Sequence, residues 1–194
     1  MIIELTTNNF EALLKGIAPR NLHLVQDSAI APPEVLAMLN RLAADIGAEF
    51  SPSAWMIVED GEIVGLCSIV RVPQDGNIHI GYGVAPSHQG RGCTTRAIGQ
   101  LLEWGRNDPR VALISAETGV DNIASQRVLE RNGFVQIGER VDAEDGPLIC
   151  WQALPRFYRQ RSPHGKRSAE VQSPRPAVVI KGMTTTIRSR LQRP

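Results

Sequence analysis

Apolar positions along this chain recur with two periods, and their order outlines a fold. Ile2-Ile3-Glu4-Leu5 reads as a short first strand, and Phe10, Leu13 and Leu14 sit at helical spacing within 9–15. Pro32-Pro33 opens a second helix, where proline costs least; Val35, Leu36, Leu39, Leu42, Ala43 and Ile46 form its apolar stripe and Gly47 stops it. Asp60-Gly61, Asp75-Gly76 and Asp145-Gly146 each stand between apolar runs, a pair that favours the primed two-residue turns of hairpins. The antiparallel strands they imply cover 55–59, 63–72, 77–84, 134–141 and 148–154. Between them the spacing predicts a helix over 95–106, stopped by Asn107-Asp108-Pro109, and a strand over 111–116. A last helix is capped by Asp121 or Asn122 and ended by Gly133, with Phe134 placed to pack back over its final turn. A strand, helix, strand crossover makes 77–84 and 111–116 parallel. The sum is an α/β chain with a mixed sheet and helices on both faces.

Composition sharpens this picture. The 194 residues suit one domain over 1–155 with an appendage over 156–194. The appendage has ten basic residues and one acid, Glu170, against a surplus of acids in the body, although the whole chain carries a net charge of +1. An acidic body concentrates a cationic or amine substrate, or simply keeps a protein soluble. The basic extension reads as a semi-flexible arm; ribosomal RNA or another nucleic acid is a weaker candidate partner, because beyond Phe157 and Tyr158 at its start the arm lacks stacking aromatics. No apolar run approaches the ~18 residues of a membrane span, and the first residues lack the regions of a signal peptide. Cys67, Cys93 and Cys150 are odd in number and show no Cys-x-x-Cys pair, which argues against a disulfide framework or a metal site and suits the cytoplasm.

The chemistry concentrates in two segments. Ala85-Pro-Ser-His-Gln-Gly-Arg-Gly-Cys-Thr-Thr95 links a strand to a helix start. Gly90 and Gly92 let the backbone bend tightly, and the free N–H groups of the first helical turn point at an anion. The spacing fits neither a Walker loop nor a dinucleotide fingerprint, whose third glycine would stand at Thr95. Downstream, Asn122-x-x-Ser125-x-x-Val128-Leu129 closes on Asn132-Gly133-Phe134.

Together with Gln89-x-x-Gly92-x-Thr94 and Gly81-Tyr82-Gly83-Val84-Ala85-Pro86, these segments resemble the GNAT superfamily of acyl-CoA-dependent N-acetyltransferases. They are most similar to the branch of ribosomal-protein N-terminal acetyltransferases. The resemblance runs over about 55–154, and Thr94 departs from the family's usual Gly or Ala. It implies a mostly antiparallel sheet of about six or seven strands whose two parallel members splay around the cofactor. It implies acetyl-CoA as co-substrate, touching Val84, Ala85, Gln89, Gly90, Arg91, Gly92, Cys93, Thr94, Asn122 and Ser125, and backbone N–H groups near Val84 facing the thioester. A second copy of the chain is a further candidate partner.

Acetyl transfer to an amine needs a proton acceptor, an oxyanion site and a proton for the leaving thiolate. Glu117, five residues ahead of Asn122 at the end of its strand, stands where the resembled enzymes carry a base, and is otherwise a solvated strand-end glutamate. Tyr82 and His79 are three apart on one strand and so face opposite sides of the sheet; each is a candidate for the acceptor pocket or a packed sheet residue. Cys93 is a space-filling residue at a helix start or a nucleophile, with no partner at a telling distance. Leu129 occupies the position where many relatives place a proton-donating tyrosine, leaving Ser125 as the local substitute, or as a helix-start hydrogen-bonding residue. The expected function is acetyl transfer from acetyl-CoA to a peptide N-terminus, a lysine or a small amine. The rival is a non-catalytic acyl-CoA-binding module.

Overall fold

Two of the three Asp-Gly pairs make the expected turn: Asp60 and Gly61 (φ 47° and 82°) and Asp75 and Gly76 (φ 49° and 73°) are both left-handed, as a primed turn requires. The third does not. Strand pairing closes at Asp142 with Gly146, so three residues form the loop, and only Gly146 (φ 72°) is left-handed. The Asp142 carboxylate accepts from the Glu144 and Asp145 amides and shapes this longer turn.

The structure, a computed structural model, describes residues 1–26 and 28–155. The basic extension, and the short strand suggested around Val178-Val179-Ile180, lie outside the described residues. The elements are β1 (Ile2–Glu4), α1 (Thr7–Leu14), β2 (His23–Leu24), α2 (Pro33–Gly47), β3 (Ala54–Glu59), β4 (Glu62–Ile69), β5 (Asn77–Val84), α3 (Cys93–Asn107), β6 (Leu113–Gly119), α4 (Ile123–Arg131), β7 (Val135–Asp142) and β8 (Gly146–Ala153), with a 3-10 turn at Pro86–His88. The sheet has eight strands in the order β1-β3-β4-β5-β6-β8-β7, with β2 lying beside the start of β4. Six or seven were expected. The addition is β2, whose two residues pair in parallel with Glu62 and Ile63 and are too short to show a period. None of the described helices is long and apolar enough to cross a membrane.

Local chemistry explains the helix ends. The Asn122 side chain accepts from the Ser125 amide and caps α4. At its other end Gly133 (φ 76°) turns left-handed, its amide bonding Glu130 and that of Phe134 bonding Leu129, a Schellman closure that buries Phe134. Asn132 is buried and donates to the Thr95 carbonyl, fastening the end of α4 to the first turn of α3.

The two faces of the sheet are covered unequally. Helices α1 and α2 pack Phe10, Leu13, Leu36 and Leu39 on Met56, Ile63 and Leu66, over the β3–β4 half. Helices α3 and α4 pack Ile98, Leu101 and Leu129 on Cys67, Ile69, Ile78, Ile80, Tyr82 and Trp151. The alternation of β5 and β6 therefore turns His79, Ser115 and Glu117 toward the α1/α2 side, but onto strands outside that helix pair's core.

One close approach ties β4 to the end of β5. A Cβ on Gly65 would meet the Gly83 carbonyl oxygen at 2.2 Å and the Val84 Cα at 2.9 Å. Gly65→Ala must push these strands apart, so a loss of about 1–3 kcal/mol is expected. Thermal unfolding checks it, and an unchanged Tm would show that the contact yields without cost.

Candidate functional site

The parallel pair β5 and β6 is joined only from Asn77 and Leu113 to Ile80 and Ala116. Beyond that point each strand continues with its outer neighbour: β5 with β4 as far as Val84, and β6 with β8 as far as Gly119. The strands thus splay, and the gap opens toward the C-terminal end of β5. Parity fixes what lines it. The His79 carbonyl and the Ala85 amide both bond to the β4 side, so the N–H groups of Tyr82 and Val84 turn the other way, into the gap. The same geometry corrects the reading of Glu117. It lies inside β6 rather than at its end, because pairing with β8 carries the strand on past the point where β5 leaves it.

The loop after β5 leads into α3 as an anion cradle. Gly90 and Gly92 take φ of 74° and 77°, and Gly92 is the N-cap of α3 with no side-chain hydrogen bond to its first turn. Arg96 folds back, donating to the Arg91 carbonyl at 3.2 Å and pairing with Glu59 at 2.8 Å, so the loop is braced against β3. Cys93 is buried in an apolar cluster with Ile57, Val64 and Ala97. That is the setting of a space-filling residue.

Asn122 and Ser125 begin α4. The Asn122 Nδ2 is buried and has no hydrogen-bond partner among the described residues, whereas its Oδ1 serves as the cap. A buried amide donor of this kind needs an acceptor, and a ligand amide carbonyl supplies one. The Tyr82 hydroxyl donates to the Ser125 carbonyl at 3.2 Å, across the α3/α4 face. Burial pushes its phenol well above the ordinary range, so it stays protonated and gives up its proton reluctantly. Leu129 is fully buried in the core.

On the opposite face a polar group converges on Glu117. Arg140 on β7 forks onto the carboxylate, Nε to Oε1 and Nη2 to Oε2, both at 2.9 Å. Arg71, just past β4, brings Nη2 to 3.6 Å from Oε2, and the Cys150 thiol donates to Oε1 at 3.7 Å. Burial alone would raise the Glu117 carboxyl, but the Arg140 hydrogen bonds, the neighbouring His79 and the charges of Arg140 and Arg71 together outweigh it and hold the group below its ordinary value. His79 is held down to about 3, by burial first and the Arg71 charge second, and is neutral. Its hydrogen bonds fit one tautomer: Nε2 accepts from Arg71, Nδ1–H donates to Ser115 Oγ, and Ser115 donates to Asn77 Oδ1. Tyr82 and His79 do face opposite sides, and only His79 joins the Glu117 group. Arg71, Arg140 and Cys150 escaped the sequence reading. The i, i+2 spacing of Arg140 and Asp142, joined by a 2.8 Å ion pair, was the available signal.

A splayed parallel pair, an uncapped glycine-rich helix start and an orphaned asparagine amide are the features this part of the fold offers a ligand. The chain belongs to the GNAT acetyltransferase family: the acetyltransferase (GNAT) domain profile matches residues 22–135, more than half of the sequence. Among curated relatives, an uncharacterized N-acetyltransferase, YjdG of Bacillus subtilis (strain 168), is 34% identical over 85 residues, covering 42% of this chain and 51% of its own. The ribosomal-protein-serine acetyltransferase of Escherichia coli (strain K12) is 32% identical over 91 residues, covering 46% of this chain and 51% of its own. The chain thus spans about half the length of the curated relatives it matches. Among solved structures, the aminoglycoside acetyltransferase AAC(6')-Ib in complex with coenzyme A superposes with a TM-score of 0.58 at 21% identity, over 84% of this chain and 99% of that one. Mutant forms of the spermidine/spermine N-acetyltransferase SpeG from Vibrio cholerae give 0.60 at 16% identity, over 81% and 96%. At these identities the likeness is one of fold.

Proposed function

We propose that this chain transfers an acetyl group from acetyl-CoA to a primary amine by direct attack within a ternary complex. The observation that carries the proposal is the splay after Ile80 and Ala116, which leaves the Tyr82 and Val84 amides facing an open gap beside the anion cradle. In this reading the amides of the first turn of α3 and the loop around Gly90 to Gly92 hold the pyrophosphate, and Asn122 Nδ2 bonds an amide carbonyl of the pantetheine arm. The Val84 amide polarises the thioester carbonyl. The neutral amine attacks the carbonyl carbon, the C–S bond breaks and coenzyme A leaves as thiolate. Glu117 takes the proton shed by the amine through an intervening water. A thiol of pKa ~8.5 leaves tolerably near neutral pH without a dedicated acid, which suits a chain with Leu129 in its core and a Tyr82 phenol that is slow to ionise.

The last two features also favour a second reading, a non-catalytic acyl-CoA-binding module. A thiol-release assay with acetyl-CoA and a panel of amines, N-terminal peptides included, separates the two. Release that depends on the amine, with acetylated product identified by mass, supports the enzyme. Binding of acetyl-CoA without release from any amine supports the module.

A further inference from the structure

Ser68 is an anomaly of the buried surface. It stands on β4 with 2% of its surface exposed, and its Oγ has no hydrogen-bond partner among the described residues. A buried hydroxyl left in this way costs free energy, and a position that needed only volume would be better filled by alanine. Its neighbours on the α1/α2 side of the sheet are apolar: Leu66 and Val70 along its own strand, and Ala54 opposite on β3. On its other flank Ser68 pairs with Gly81.

That pairing brings the hydroxyl to the splay. Gly81 follows Ile80, the last residue of β5 joined to β6, and Glu117 follows Ala116, the partner of Ile80 in that last pair. Strand alternation puts Ser68, Gly81 and Glu117 on one face, in a row across β4, β5 and β6. Two strand spacings separate the ends of the row by about 10 Å, and the hydroxyl and the carboxylate do not meet. Gly81, between them, has no side chain to fill the interval and is only half-buried, so the row opens to solvent there. The Glu117 carboxylate leans over β5, its Oε2 lying 3.9 Å from Nε2 of His79, the next residue back on the same face. The residue after Gly81 is Tyr82, whose amide is the first to turn into the gap.

We propose that Ser68 is a positioning residue for proton transfer: its Oγ holds, over Gly81, the water through which Glu117 takes the proton of the amine. The inference rests on the acetyl-transfer reading above. A water fixed in a buried site needs about two to four polar partners. Here the Glu117 carboxylate and Ser68 Oγ take its hydrogens, which turns its lone pairs toward the incoming nitrogen. As the C–N bond forms, the nitrogen's proton passes to this water and one of the water's own protons passes to Glu117. The C–S bond breaks, and its electron pair leaves with the coenzyme A thiolate. Without the hydroxyl the same water is free to turn away from the amine.

Kinetics with the full chain test this, with thiol release from acetyl-CoA measured for alaninamide, spermidine and a short peptide as acceptors. Ser68→Ala is expected to lower kcat about 5–10-fold, the scale of one hydrogen bond, with KM for the amine and the thermal shift with acetyl-CoA unchanged. The Tm of the free protein should hold or rise, because no hydrogen bond within the described residues is lost. In Glu117→Gln the relay is already broken, so adding Ser68→Ala should cost little more. Gly81→Ala puts a methyl group where the water would lie and should lower kcat in the same manner, which decides the matter where Ser68→Ala proves destabilised. A full rate in either Ser68→Ala or Gly81→Ala overturns the inference while acetyl transfer stands. So does a rise in KM in place of the fall in kcat, or a pair of losses in Ser68→Ala and Glu117→Gln that multiply. Absence of thiol release with every amine overturns the acetyl-transfer reading itself, and the role of Ser68 with it.

Discussion

Glu117→Gln is expected to lower kcat roughly 10²–10⁴-fold while acetyl-CoA affinity stays nearly unchanged. The substitution is nearly isosteric and removes the charge proposed to accept the amine's proton. The loss should lie nearer the lower figure, because the Arg140 bonds that hold the carboxylate also make it a weaker base. The variant also leaves Arg71 and Arg140 facing each other without the shared anion, so a stability loss of about 1–3 kcal/mol accompanies it. Full activity across the pH range would remove Glu117 from the mechanism. The depressed carboxyl carries a second consequence. In the wild type Glu117 remains ionised through mildly acidic pH, so the acid limb of kcat/KM reports the amine. Its contribution to stability is present above the unfolded-state pKa of ~4.3 and is lost as pH falls through the lower folded value. Arg140→Gln removes the chief cause of the lowering while burial still raises the group. The acid limb, still set by the amine, should then steepen at the higher pH where Glu117 now begins to protonate, and a limb of unchanged slope would show that Glu117 is not the titrating base.

Gly92→Val should abolish acetyl-CoA binding without unfolding the chain. Gly92 has φ of 77°, a region in which a β-branched residue is a genuine outlier, so the N-cap must rearrange. A Cβ there would also meet Arg96 Nη1 at 3.1 Å and disturb the brace to Glu59. At 100 times its dissociation constant, a ligand adds ~2.7 kcal/mol of stability. Differential scanning should show that increment in the wild type and none in the variant, with circular dichroism unchanged. An intact thermal shift would place acetyl-CoA elsewhere.

The elements were legible because each carried its own punctuation. The Pro33 start, the Asn122 cap and the Gly133-Phe134 closure are local signals, and local physics decides them. The opposition of His79 and Tyr82 followed from strand alternation alone. The Glu117 group was not legible, for a definite reason. A register shift between Gln136 and Gly138 sets which residues of β7 share a face with Cys150 and Glu117, and a one-residue shift reverses every side chain beyond it. Arg71 and Glu117 meet only because β4, β5 and β6 lie side by side, a fact of topology that no window of sequence contains. The two-residue β2 was likewise too short to announce itself. The primed turn expected at Asp145-Gly146 failed because the Asp142 side chain gathers the Glu144 and Asp145 amides and lengthens the loop.

The parting of β5 from β6 also divides one strand into two regimes of solvent exchange. The Ile78 and Ile80 amides face β6 across residues with which they are paired, whereas the Tyr82 and Val84 amides face no residue of β6 in the ladder. Deuterium should therefore enter at Tyr82 and Val84 well before it enters at Ile78 and Ile80, although all four lie on one strand within a single sheet. A pantetheine arm seated in the seam would act as a removable strand, and its arrival should slow exchange at the outer two amides while leaving the inner two as they were.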